Sequence, residues 1–190
     1  MGLLDTILGR SKQKPPNLDR IFGLTDAAIT LQLAAGFTPT GVGSVCYRAA
    51  EGGAFAQTQS DVQQLLDADS GPKVERVPDA YGFTWLVSRH TPDDTAGLVT
   101  EIHAVNSSLT DAGFGSALLC SLIGFTDADG RKLALVYLYK RGTFYPFCPT
   151  GRGEVRDTAL ELSVKAQLGD DLAIEQDLTR WFPVWGAPGL

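Results

Sequence analysis

Cysteine is scarce in these 190 residues: Cys46, Cys120 and Cys148 stand far apart and form no CxxC pair. So sparse and odd a set excludes a disulfide framework and a zinc site built on paired thiols. Cys46 and Cys120 sit in apolar runs and read as small buried hydrophobes. Histidine is scarcer still. His90 and His103 lack partners at HxxxH or HExxH spacing, so no metal is expected. No apolar run approaches the roughly 18 residues of a membrane-spanning helix. There is no GxSxG elbow and no P-loop, and Gly41-Val42-Gly43-Ser44 and Gly113-Phe114-Gly115-Ser116 stop short of GxGxxG. Asp127-Ala128-Asp129-Gly130 opens like a calcium loop, but Leu138 stands where the bidentate glutamate belongs. Both glycine pairs and the Asp-Gly step therefore read as turn chemistry, and no cofactor is implied. A basic excess is also lacking. Sixteen Lys and Arg against 22 Asp and Glu give a net charge of −6, which argues against nucleic acid as a partner.

What is present is ordinary globular material, 44% apolar and 20% charged. Residues 2–9 read as a short amphipathic helix with Leu3, Leu4, Ile7 and Leu8 on one side, and Arg10, Lys12 and Lys14 follow. Pro15-Pro16 then stiffens a spacer. Four basic and two acidic side chains lie in the first 20 residues, so the tail is positive and the remainder strongly negative. The organisation expected is a helix and linker over 1–16, one domain over 17–177 and a tail over 178–190. Without an export signal, and with thiols that read as reduced, the expected place is the cytoplasm, with the inner membrane face within reach of the N-terminal helix.

Within the domain, Asn17 caps a short helix, Leu18 to Gly23. From Ala28, Ile29, Leu31 and Leu33 alternate with Thr30 and Gln32, which predicts a half-buried strand. A glycine-rich turn over 36–43 would lead to a second strand, Ser44 to Arg48, making a hairpin. Helix Phe55–Ala68 follows, then strands Val74–Val77 and Phe83–Arg89. Thr91-Pro92-Asp93-Asp94 opens a helix with Thr91 as N-cap. Strands Leu118–Thr126, Lys132–Lys140 and Thr143–Phe147 come next, then helix Val155–Leu168. Lys140-Arg141 with Phe144-Tyr145-Pro146-Phe147 has the composition of a base-stacking surface, but in so acidic a chain it reads as an edge strand. The order predicts an α+β fold: an antiparallel sheet of about six strands built from hairpins, with helices packed on one face.

The C-terminal segment is unusual. Trp181, Phe182 and Trp185 fall close together, with Pro183, Gly186, Pro188 and Gly189 breaking any helix before Leu190. An extended, Trp-rich tail either docks on its own domain or fills a partner's groove.

Several segments together resemble a known family. They are the opening Met-Gly-Leu-Leu-Asp-Thr-Ile-Leu-Gly-Arg, Glu51-Gly52-Gly53-Ala54-Phe55, and Tyr81-Gly82-Phe83-Thr84-Trp85-Leu86-Val87. His103-Ala104-Val105-Asn106-Ser107, the stretch Leu135 to Phe147 and the ending Arg180 to Leu190 belong with them. On these the chain resembles the PspA-associated protein PspAB family, linked to the phage-shock envelope-stress system of bacteria and archaea. The resemblance implies association with a PspA-type stress protein and carries no catalytic or ligand residues. The element order is also similar to type III secretion chaperone-like folds, an analogy of fold alone.

Three readings follow. The first is a non-enzymatic adaptor or regulator binding a PspA-type stress protein, or a second copy as a homodimer, through Trp181, Phe182, Trp185 and Leu190 and through the N-terminal helix with Leu3, Leu4, Ile7, Leu8 and Arg10. The second is an enzyme or small-ligand binder using His90, His103, Cys148, Arg141 or Tyr145. The third is a peripheral protein that lays Leu3, Leu4, Ile7, Leu8 and Arg10 on an anionic membrane surface.

Overall fold

The computed structural model describes residues 17–48 and 73–190, with a few helical positions between 53 and 64. The expected N-terminal helix with Leu3, Leu4, Ile7, Leu8 and Arg10 lies outside the described residues, as does most of the expected helix Phe55–Ala68.

Asn17 accepts a hydrogen bond from the Asp19 amide at 3.1 Å, capping a 3-10 turn over Leu18–Phe22. That turn runs directly into α1, Gly23–Ala35. The strand expected over 28–33 is therefore a helix. Its inward side is Leu24, Ala27, Ala28 and Leu31, a helical spacing, whereas Ile29 and Leu33 are 55% and 82% exposed. The apparent alternation joined one buried leucine to two residues on the outer side. Gly36 ends the helix in the left-handed region at φ 71°.

The turn expected over 36–43 is also corrected. Most of it belongs to a single long strand, β1 (Thr38–Arg48), irregular between Pro39 and Gly43. The remaining strands are β2 (Glu75–Pro78), β3 (Phe83–Arg89), β4 (Leu118–Thr126), β5 (Lys132–Leu138) and β6 (Thr143–Phe147). They form one six-stranded sheet in the order β2-β3-β1-β4-β5-β6, with every neighbouring pair antiparallel. The fold is α+β, as expected, but the first hairpin is absent: β1 lies at the centre, between β3 and β4.

Helix α2 spans Thr95–Leu109 and begins later than expected, because Thr91 is spent on a turn that accepts the Asp94 amide at 2.9 Å. Asp94 is the cap, and its carboxylate accepts the Gly97 amide at 3.0 Å. Helix α3, Thr158–Gln167, is likewise shorter than expected and capped by Asp157.

Helix α2 packs over β1, where a Cβ on Gly43 would meet Ile102 at 2.5 Å. The buried Asn106 amide reaches Ser121 of β4 at 2.9 Å on that same face. Alternation along β1 sends Ser44 to the opposite face, and its hydroxyl donates to the Pro188 carbonyl at 3.3 Å. Residues 181–190 thus cover the second face over β1, β4 and β6. Coverage on both sides explains why Leu133 through Tyr137 of β5 are all fully buried and read as one apolar run without alternation. Helix α3 stands beyond β6, in contact with α1 and with β6. The outer edge of β6 is itself paired: Phe144 donates to the Ala173 carbonyl at 3.0 Å, and Glu175 donates to that of Phe144 at 2.7 Å.

Candidate partner-binding site

The C-terminal segment is held to the sheet by aromatic stacking and by charge. Trp181 is 6% exposed; its ring stacks on Tyr145, centroids 6.0 Å apart, and its indole N–H donates to the Glu175 carbonyl at 3.0 Å. Tyr145 in turn donates its hydroxyl to the Phe182 carbonyl at 2.8 Å. Trp185 meets Phe147 edge to face at 4.8 Å. Close approach is possible because Gly124 has no side chain, with the Gly189 carbonyl lying where a Cβ would stand. After these contacts Phe182 is left 61% exposed, while Trp185 and Leu190 are half-buried.

Two buried carboxylates fix this arrangement, and nothing in their sequence spacing marks them. Glu161 of α3 accepts the Cys148 amide at 2.8 Å and the Arg156 Nε at 2.9 Å. The other end of that guanidinium donates to the Trp181 carbonyl, and its Cζ lies 5.0 Å from the Phe147 ring centroid. Glu175 is bound by Arg141, by the Thr143 hydroxyl at 2.9 Å and by the Asp177 amide at 3.1 Å. Burial alone would raise the Glu175 carboxyl; Arg141 and these donors outweigh it and hold the group below its ordinary range. A glutamate closing the apolar stretch Leu172-Ala173-Ile174 was the one available signal.

Beside the docked segment lies a cavity of about 830 Å³. Phe147, Leu160, Trp185 and Leu190 supply its apolar lining, and Arg131, Lys132 and Arg152 its cations. Asp129, Glu154 and Asp157 line it too, so the charges are mixed. Arg131 is already paired with Asp127 at 2.6 Å.

The side chains considered for catalysis do not converge. His90 is clasped between Asp94 and Glu101, each at 2.7 Å from a different ring nitrogen. Desolvation lowers the affinity of this ring for its proton, but the two carboxylates more than offset that and raise it above the ordinary value. His103 faces Asp19 at 3.2 Å and packs against Phe22. Arg141 serves Glu175, and Tyr145 serves the C-terminal segment. Only Cys148 of the five lines the cavity, and burial pushes its thiol well up, which makes it a poor nucleophile. Among the described residues no cluster of His, Cys, Asp and Glu could hold a metal ion, and no helix is long and apolar enough to cross a membrane.

The class defined by this geometry is an α+β domain whose antiparallel sheet is closed on its second face by the chain's own C-terminal segment. Within that class the chain belongs to the PspA associated protein B family, whose model matches residues 1–189. No curated protein and no solved structure matches it. The family's description is one of association with PspA, and it names no reaction.

Proposed function

We propose that this protein is a non-enzymatic adaptor or regulator of a PspA-type membrane-stress protein, acting by direct protein–protein contact in the cytoplasm. One observation carries the reading: the C-terminal segment is pinned to its own sheet at Trp181, yet presents Phe182 outward. An exposed phenylalanine on a fixed backbone loses little entropy on binding, the property of an interface anchor. Trp185 and Leu190, half-buried beside the cavity, extend the same surface, and Trp181 serves it by holding the segment in place. Family membership supplies the partner class. A second contact through Leu3, Leu4, Ile7, Leu8 and Arg10 belongs to the same proposal.

The test is co-purification of the PspA-type protein encoded in the same organism with wild type and with Phe182→Ala. The exposed side chain can be removed with little effect on thermal unfolding, while binding weakens about tenfold or more. Undiminished binding by Phe182→Ala and by Trp185→Ala rejects the C-terminal surface. Full binding after Leu4→Asp removes the N-terminal segment from the interface.

A further inference from the structure

Cys46 of β1 and Cys120 of β4 are direct partners in the strand register. Their sequence positions, 74 apart, gave no sign of this. Facing residues of an antiparallel pair have Cα atoms about 4.5–5.5 Å apart and side chains on one face. A disulfide spans Cα separations of about 4.4–6.8 Å, so the backbone already has the spacing the bond requires. Both thiols are free and buried, on the face that carries the C-terminal segment. The hydrogen bond to Cys120 and then burial push the Cys46 thiol far up, so that thiol rests protonated and is slow to react. Cys148 has no thiol in register with it, since its neighbours are Glu161 and the end of β6.

We propose that Cys46 and Cys120 form a reversible disulfide site within the folded domain, closed by a peroxide-class oxidant. Cys120, at 8% exposure against 3% for Cys46, is the first to meet it. Its sulfur attacks one peroxide oxygen: an S–O bond forms, the O–O bond breaks, and the departing hydroxide takes the thiol proton and leaves as water. The Cys46 sulfur then attacks the Cys120 sulfenic sulfur. The S–S bond forms, the S–O bond breaks, and the second hydroxide leaves as water with the Cys46 proton. Two thiols lose two electrons in all, and one peroxide is reduced to two waters. The bond joins strands that are already paired, so the sheet order is kept. Because it closes a long loop of the unfolded chain, it strengthens the fold.

The experiment treats the full chain, folded in native buffer, with hydrogen peroxide, then denatures it and alkylates the remaining thiols. The expected product has lost two hydrogens, carries one alkyl group on Cys148, and yields a linked peptide pair containing Cys46 and Cys120. Dithiothreitol reverses the change, and the oxidised protein unfolds at a temperature higher by roughly 5 °C or more. Cys46→Ala and Cys120→Ala each abolish the linkage, while Cys148→Ala keeps it. Three alkylated thiols after oxidation, a linkage that includes Cys148, or one that forms only after unfolding overturns the proposal. The wild-type peptide map decides the question even if an alanine variant folds poorly.

Discussion

Gly124 and Gly189 meet across the second face of the sheet: a Cβ on Gly124 would stand 2.3 Å from the Gly189 carbonyl oxygen and 3.0 Å from the Thr40 hydroxyl. The first neighbour is backbone, which cannot swing aside, so any side chain at position 124 displaces the C-terminal segment.

Gly124→Ala is therefore expected to destabilise the domain by about 1–3 kcal/mol, the range for overpacking. Chemical denaturation gives the magnitude, and a red shift of tryptophan emission reports Trp181 and Trp185 leaving the sheet. Gly169→Ala is the control. Its nearest neighbour to an added Cβ is at 3.7 Å, ordinary contact, and the change should stay within about 0.5 kcal/mol.

Helix α1 makes a separable prediction. Leu31→Ala should cost about 2–5 kcal/mol, because Leu31 is fully buried. Leu33→Gln should cost less than about 0.5 kcal/mol, since that side chain is 82% exposed. Had 28–33 been a half-buried strand, the two residues would share a face and the costs would be alike. Equal losses in equilibrium unfolding would contradict the helix.

The His90 clasp sets a pH dependence. With the folded ring raised above 6.5 by Asp94 and Glu101, its contribution is complete below that value and disappears as pH rises through the folded pKa. Wild-type melting temperature should fall across the neutral-to-alkaline range by more than that of His90→Gln. Parallel curves for the two proteins would show that the clasp contributes nothing.

Glu175 has the opposite sign. Its folded carboxyl lies below the ordinary 4.5, so its contribution is present above that value and disappears as pH falls through the lowered folded pKa. Glu175→Gln should cost about 2 kcal/mol near neutrality, by weakening the charge-assisted bonds to Arg141 and Thr143. Its acid unfolding should also be shallower than that of wild type. Urea titrations at neutral and acid pH measure both effects.

The physical signals differ in how far along the chain they reach. Strands β3, β4 and β6 are legible to the residue, because each is an apolar run bounded by local turn chemistry such as Asp127 to Gly130. The α1 segment misleads because two large residues, Ile29 and Leu33, sit on its outer side and imitate a period of two. Thr38 to Gly43 misleads in the other direction: glycine, proline and threonine suggest a turn, yet packing against α2 and β4 draws them into the central strand. The C-terminal segment advertises itself by composition, but its seat on Tyr145, Phe147 and Gly124 depends on contacts between residues far apart in the chain. The same distance hides Glu161, Glu175 and the facing thiols of Cys46 and Cys120.

The position of β1 has a consequence for synthesis on the ribosome. Of the described strands, the one made first ends in the middle, and Val45 finds its two partners, Leu86 and Ser121, only 41 and 76 positions later. Until β4 has emerged, one edge of this strand is open. Until residues 181–190 follow, the second face of the nascent sheet lacks its cover over β1, β4 and β6. Non-local pairing of this kind folds slowly and exposes apolar surface in the meantime. The growing chain is therefore most vulnerable to aggregation late in translation, when the sheet is assembled and its last cover has not yet arrived.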